Sequence, residues 1–176
     1  MDRSNKDLVA AACQGDLASF GLLYERHYRL AVGIARARLS DCHLAEDAAQ
    51  EAFLIACRTL PSLRDPNRFP EWLGTICRRT AGQIAMAQPK HEPLLSDPQA
   101  AECDQPQTQV NEAIQSLEET SREIVVLHYF SGLSYHEISQ VIGLSVQSIH
   151  GRLQRARQKL AQILRSPDAK ALKHES

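Results

Sequence analysis

The sequence has few aromatic residues and no long apolar run. Phe, Trp and Tyr together make up 5% of the 176 residues. Because β-strands draw on aromatic and β-branched side chains, whereas the abundant Ala, Leu, Gln, Glu and Arg residues favour helices, an all-α fold is expected. No apolar run approaches the roughly 20 residues that span a bilayer, so we expect no membrane insertion. The first residues, MDRSNKDL, lack the apolar core of a secretion signal, which predicts a cytoplasmic protein.

Cysteine and histidine residues form no arrangement typical of a metal or redox centre. The five cysteines contain no Cys-x-x-Cys pair, and their odd number in a chain without a signal predicts reduced thiols, most of them small core residues. Cys42 and His43 form an adjacent pair, but no quartet has the spacing of a structural zinc site. No catalytic constellation or glycine-rich phosphate loop is visible. A metal or redox sensor and a hydrolytic enzyme are therefore disfavoured, and we expect no metal, cofactor or catalytic residues.

The chain also lacks an excess of charge of either sign, because its net charge is −1. Acidic residues nevertheless dominate residues 89–123, and Arg and Lys dominate from Ser145 onward. Such separation creates local fields of opposite sign, which matter more for partners than the sum does. A neutral total therefore does not exclude nucleic acid as a partner.

Two helices joined by a tight turn are predicted between residues 133 and 160. Ser134 and Glu137 form a Ser-x-x-Glu capping box, which starts the first helix. Gly143 is suited to end it, and Ser145 can cap the second helix. Apolar residues then recur every three or four positions, so the second helix has one buried stripe. A short helix, a turn with glycine and a second helix describe a helix-turn-helix motif.

The outer face of that second helix is polar and basic. Gln147, Ser148 and His150 are hydrogen-bonding groups near its start, where a recognition helix reads base edges. Arg152 and Arg155 follow, with Arg157 and Lys159, at positions suited to phosphates. This pattern favours DNA binding, and a helical hairpin with a solvated basic face is the alternative.

The chain divides into two small helical domains joined by a flexible linker. Helices are predicted over residues 5–14, 16–39 and 44–60, with Asn5 as a cap of the first, and a fourth begins at Pro70 after a proline-rich loop. Residues 88–109 hold four of the eight prolines and are interpreted as the linker. The N-terminal domain then covers residues 5–87, and the C-terminal domain covers residues 110–166.

Three stretches resemble a known protein family. They are AEDAAQEAFLIA (residues 45–56), RFPEWLGTICRR (68–79) and LEETSREIVVLHYFSGLSYHEISQVIGLSVQSIHGRLQRARQKL (117–160). In this order, with a variable segment between the second and third, they resemble the small bacterial RNA polymerase sigma factors of the extracytoplasmic-function (ECF) group. Such proteins are not enzymes. The resemblance implies that the chain binds core polymerase, directs it to promoters and helps separate the DNA strands.

The resemblance also implies roles for individual residues. An acidic and amide patch on the third helix would meet the β′ subunit of the polymerase: Glu46, Asp47, Gln50 and Glu51. The loop and start of the fourth helix would bind the downstream (−10) promoter element: Arg64, Asn67, Arg68, Arg78 and Arg79. The helix-turn-helix would bind the upstream (−35) element: Ser145, Gln147, Ser148, His150, Gly151, Arg152 and Arg155. The implied partners are core polymerase (β′ and β subunits), promoter DNA, and an anti-sigma factor or other regulatory partner.

The chain departs from the family pattern at two places. Many members have Asn after the arginine at position 78, an Asp near position 83 and a basic run beyond, whereas this chain has Arg79, Gln83 and no basic residue until Lys90. Gly151 stands where relatives carry a larger polar residue. These departures predict altered promoter binding. A helix-turn-helix regulator that acts without polymerase is the alternative function, and the acidic patch argues against it, because such a regulator has no need of one.

Overall fold

A computed structural model describes residues 3–87 and 105–165 of the chain, and the described residues form α-helices and 3₁₀ turns without β-strands. The all-α prediction is confirmed. The N-terminal helices are α1 (Asn5–Cys13), α2 (Leu17–Arg36), α3 (Cys42–Thr59) and α4 (Phe69–Ala87), with 3₁₀ turns at Leu60–Ser62 and Pro66–Arg68. The C-terminal helices are α5 (Gln105–Gln115), α6 (Glu119–Tyr129), α7 (Tyr135–Ile142) and α8 (Val146–Arg165). Helix α5 thus begins inside the segment interpreted as the linker, and residues 88–104 lie outside the described residues.

Side-chain caps fix where the N-terminal helices begin. Asp16 accepts hydrogen bonds from the backbone N–H groups at the start of α2, and Asp41 accepts one from Leu44 N at the start of α3. The predicted cap Asn5 is wrong, because Asn5 is the first residue of α1. Ser4 is the cap, in a reciprocal capping box with Asp7.

The helix-turn-helix is formed by α7 and α8 as the sequence predicted. Ser134 and Glu137 form the reciprocal capping box at the start of α7. Gly143 ends α7 with φ of 77°, a left-handed conformation that strains any residue with a Cβ atom. Ser145 Oγ accepts a hydrogen bond from Ser148 N at 3.2 Å, which caps α8.

The two halves of the molecule share one apolar core. Helix α2 packs against α6, and α4 packs against α7. Buried side chains run continuously from Ile34 and Leu73 on the N-terminal side to Leu127 and Val141 on the C-terminal side. This placement brings the segment around Arg78 next to the C-terminal helices.

The cysteines depart from the prediction that most of them lie in the core. Cys77 is buried, and burial raises the pKa of its thiol to about 12. Cys13, Cys42 and Cys57 are exposed instead. Cys103 lies outside the described residues. Within the part of the chain that the structure describes, no helix is long and apolar enough to cross a membrane.

Candidate functional site

Helix α3 presents an acidic stripe to solvent. Asp47, Gln50 and Glu51 are all exposed, and their spacing of three and four residues places them on one face of the helix. Glu46 is only partly exposed, and its carboxylate lies 3.5 Å from Arg36 Nη2. Three of the four predicted residues therefore form one accessible surface, and Glu46 lies beside it in an ion pair.

Leu54 extends this stripe by one helical turn and was missed by the sequence interpretation. Its side chain is 52% exposed, although leucine is usually buried. The spacing of three residues from Glu51 to Leu54 was the available signal. Leu54 therefore adds one apolar side chain to the end of the acidic stripe.

A groove of about 340 Å³ lies between the 3₁₀ turns and the first half of α4. Arg64, Arg68 and Trp72 line it together with Ser62, Leu63, Asp65, Glu71 and Thr75. Trp72 is half-buried, with its ring centroid 6.0 Å from that of the fully buried Phe69. The indole thus packs against the core and also forms part of the groove wall.

The polar residues around this groove are fixed by local hydrogen bonds. Arg68 donates from Nε to Glu71 Oε2 at 2.7 Å and from Nη2 to Glu71 Oε1 at 2.5 Å. This pairing raises the pKa of Arg68 above its ordinary value. Asn67 donates from its backbone N and from Nδ2 to Asp65 Oδ1, and Arg64 is exposed. The groove therefore combines the exposed Arg64, the paired Arg68 and an aromatic wall, and cations beside an aromatic ring are groups that unstacked bases and a single-stranded backbone can use.

Arg78 is not exposed, which corrects the sequence interpretation of α4. Its guanidinium donates from Nε to both carboxylate oxygens of Glu123 at 3.1 Å and from Nη2 to Glu123 Oε1 at 2.7 Å. The same Nη2 lies 3.3 Å from the Val141 carbonyl oxygen. Arg79, the next residue, is exposed. The Arg78 pair has no local signal in the sequence, because Glu123 lies 45 residues away on another helix.

The start of α8 exposes most of the residues predicted to read DNA. Gln147, His150 and Arg155 are exposed, and Ser145 is exposed at the cap. The His150 ring lies edge-on to Tyr135, with the centroids 5.9 Å apart. Ser148 is partly buried.

Arg152 and Gly151 complete this surface. Arg152 Nη1 lies 3.3 Å from Glu118 Oε2, so this arginine is partly neutralised inside its own domain. Hydrogen bonds from Thr120 and Ser121 lower the pKa of the Glu118 carboxyl. A Cβ atom built on Gly151 would have no neighbour within 4 Å. Internal packing therefore does not require glycine at position 151.

Among residues 3–87 and 105–165, no three His, Cys, Asp or Glu side chains are grouped so that they could hold a metal ion. The described surfaces are an acidic stripe, a charged groove with an aromatic wall, and a polar helix face. Each of them suits a macromolecular partner.

Comparison with known proteins agrees with this arrangement. Residues 23–83 match the family model for Sigma-70 region 2, and residues 107–160 match that for Sigma-70, region 4. The chain is 30% identical to the ECF RNA polymerase sigma factor SigM of Mycobacterium tuberculosis over 168 residues, which covers 93% of this chain and 86% of that protein. It is 29% identical to the RNA polymerase sigma-H factor of Pseudomonas aeruginosa over 180 residues, 91% and 93% of the two chains.

A solved structure has the same fold. CnrH, in complex with the cytosolic domain of CnrY, superposes with a TM-score of 0.68 and 30% identity, over 95% of this chain and 99% of that chain. The chain therefore belongs to the sigma-70 family of RNA polymerase sigma factors, in its ECF group. Proteins of this class are transcription initiation factors that direct core RNA polymerase to promoters.

Proposed function

We propose that the three surfaces divide the work of an ECF sigma factor. The acidic stripe on α3 binds the β′ subunit of core polymerase. The groove beside α4 and the arginines of that helix bind the −10 element, and the exposed face of α8 binds the −35 element. The N-terminal domain (residues 5–87) and the C-terminal domain (residues 110–166) then contact separate parts of one promoter.

The observation that carries this proposal is the exposed stripe formed by Asp47, Gln50, Glu51 and Leu54. A helix-turn-helix alone would serve equally well in a regulator that acts without polymerase. Among the residues that the structure describes, neither Asp47 nor Glu51 forms an ion pair. Both carboxylates therefore remain available to a basic partner. Charge complementarity of this kind speeds association and fixes orientation.

Further partners follow from the remaining surfaces. Tyr129 and Phe130 at the end of α6 are each 51% exposed, and exposed aromatic side chains are typical of protein interfaces. We assign them to the β subunit.

CnrH is solved in complex with the cytosolic domain of CnrY, which supports regulation of this chain by a protein of the anti-sigma kind. No catalysis, metal or cofactor is assigned. We propose that the chain acts in the cytoplasm, because core polymerase and promoter DNA are found there.

Run-off transcription with core polymerase on promoters from the same genome tests the function. Start-specific transcripts that depend on this chain are expected. Asp47→Ala combined with Glu51→Ala should weaken binding to core by about tenfold, because both carboxylates face the partner. Binding of duplex promoter DNA by the C-terminal domain should not change.

The matched control is Glu25→Ala combined with Glu112→Ala, which removes two exposed carboxylates from other helices. Equal core affinity of both double variants would refute the assignment of the stripe. Absence of transcripts from a wild-type protein that still binds duplex DNA would favour the regulator that acts without polymerase.

A further inference from the structure

Arg152 on α8 is held by a carboxylate from another helix of the same domain. Its Nη1 atom lies 3.3 Å from Oε2 of Glu118, the residue that caps α6. We propose that Glu118 is a positioning residue for the upstream element, which directs the guanidinium of Arg152 to a base edge and away from phosphate. The inference rests on the proposed function and deepens it, because it takes α8 to be the helix that binds the −35 element.

The carboxylate of Glu118 is itself held in place by the helix that it caps. It accepts hydrogen bonds from Thr120 N at 3.0 Å, Ser121 N at 3.2 Å and Ser121 Oγ at 3.1 Å. These bonds lower the pKa of the Glu118 carboxyl, so the group is ionised at neutral pH. A carboxylate that is already fixed loses little side-chain freedom when it binds a cation. Arg152 therefore meets a prearranged partner.

The contact uses one corner of the guanidinium and leaves its other donors for DNA. Among the described residues, the Nε and Nη2 atoms of Arg152 have no hydrogen-bond partner. Neither of these nitrogens is buried, and the side chain is 34% exposed, so a ligand can reach them from solvent. Such a pair of donors binds two acceptors at once, as O6 and N7 of guanine offer them in the major groove.

Pairing with a carboxylate changes which acceptors Arg152 attracts. The ion pair has no net charge, and a phosphate at the free donors would also lie near the Glu118 carboxylate, which repels it. The acceptor atoms of a base edge belong to a neutral group, so this repulsion does not apply to them. The paired guanidinium therefore keeps its hydrogen-bonding geometry for a base and loses much of its attraction for the DNA backbone.

Other cations of α8 are placed differently. Arg155 is exposed, and among the described residues it forms no ion pair or hydrogen bond. Arg157 lies over the Tyr129 ring, with Cζ 5.4 Å from the centroid, and Lys159 Nζ donates to Ser116 O at 3.0 Å. Arg155 is thus suited to a phosphate, a contact that contributes affinity without sequence information.

Gly151 leaves room for a base to reach Arg152. A Cβ atom at this position would have no neighbour within 4 Å, so packing inside the domain does not require glycine. Without a side chain, the helix backbone can be approached closely by DNA at this point. The guanidinium of the next residue then has a shorter distance to span to a base edge.

Fluorescence anisotropy of the full chain with labelled duplexes of about 25 base pairs tests the proposal. One duplex carries the upstream segment of a promoter that is active in run-off transcription. The other carries the same bases in scrambled order. The affinity for both is measured between about 50 and about 200 mM salt, which gives the salt slope and the preference for the promoter sequence.

Glu118→Gln releases Arg152, while its amide oxygen can still accept the hydrogen bonds that cap α6. We expect this variant to bind the scrambled duplex more tightly than wild type. Its slope of log affinity against log salt should be steeper by about 1, because one more phosphate is bound. Its preference for the promoter duplex should fall about tenfold, since one base contact is lost. A residue that only capped α6 would leave the salt slope unchanged.

Arg152→Lys is the second variant, and it leaves the α6 cap untouched. Lysine keeps the charge but lacks the planar pair of donors, so the preference for the promoter duplex should fall about tenfold with an unchanged salt slope. In an Arg152→Gln background, adding Glu118→Gln should not steepen the slope, because no released guanidinium remains.

Glu112→Gln is the matched control, because it removes another exposed carboxylate of the same domain and should keep the wild-type slope and preference. Circular dichroism spectra confirm that each variant is folded, and Arg152→Lys carries the test if Glu118→Gln is not. An unchanged salt slope in folded Glu118→Gln, or an unchanged preference in Arg152→Lys, would overturn the role of Glu118. A lack of run-off transcripts would reject the proposed function, whereas the salt slope on the scrambled duplex would still show whether Glu118 keeps Arg152 from phosphate.

Discussion

The buried side chain of His27 makes the stability of the protein depend on pH. Its side chain is 9% exposed, with Nε2 lying 3.3 Å from Asn5 Oδ1 and its ring 5.3 Å from that of Phe69. Burial lowers the pKa of His27 from 6.5 to about 4, with Arg26 adding to the effect. The imidazole is therefore neutral in the folded protein at neutral pH, and its sequence neighbours gave no sign of this.

We expect the wild-type protein to lose stability as the pH falls through the interval between these two pKa values. There the unfolded chain binds a proton that the folded chain does not, so acid favours unfolding. The contribution of His27 is fully present above its unfolded pKa of 6.5 and is lost as the pH falls towards about 4. Between about pH 7 and about pH 5 this loss amounts to about 2 kcal/mol.

Urea denaturation of the wild type and of His27→Gln at about pH 7 and about pH 5 measures the contribution of His27 to the unfolding free energy. The loss of unfolding free energy on acidification should be smaller in this variant by about 2 kcal/mol, since Gln does not titrate. His43→Gln is the control, because His43 is exposed. Identical pH dependence in wild type and His27→Gln would show that the pKa of His27 does not differ between the folded and unfolded states.

At the scale of a single helix, substitution by alanine should change the stability of the protein in opposite directions at Gly143 and at Gly151. Gly143 has φ of 77°, so Gly143→Ala should destabilise the protein by about 1 kcal/mol. Gly151 lies inside α8 and has open space around a built Cβ atom, so Gly151→Ala should stabilise it by up to about 1 kcal/mol. Chemical denaturation of the two variants measures the change in unfolding free energy relative to wild type. A change in the same direction in both variants would contradict this account of the two glycines.

Elements were predictable where their signals are local. The capping box of Ser134 and Glu137, the cap at Asp16 and the stop at Gly143 all involve residues within a few positions of each other. The cap of α1 was misplaced by one residue because Ser4 and Asn5 are both good caps, and the deciding contact is the reciprocal bond with Asp7. The helix-turn-helix and the exposed acidic stripe followed from spacing in the same way.

The contact between the halves of the molecule was not predictable, for a physical reason. It depends on Arg78 meeting Glu123 and on the absence of a side chain at Gly33, where a Cβ atom would lie 2.9 Å from Leu127 Cδ2. Neither feature has a periodic signature in the sequence, because the partners lie on different helices. Arg78 was consequently interpreted as a DNA-binding residue, although the structure holds it in an internal ion pair with Glu123.

At the scale of the whole molecule, the shared apolar core predicts one cooperative unfolding transition. Buried residues connect α2 with α6 and α4 with α7, so neither half can unfold without exposing part of the other. Differential scanning calorimetry of the wild type should give a single peak whose calorimetric and van't Hoff enthalpies agree. Gly33→Gln should split this peak in two, because separated domains unfold independently. Gly21→Gln should keep one peak, because a Cβ atom at Gly21 would have no neighbour within 4 Å. Two peaks in the wild type would mean that the halves already behave as independent units in solution, and the interface between α2 and α6 would then contribute little to stability.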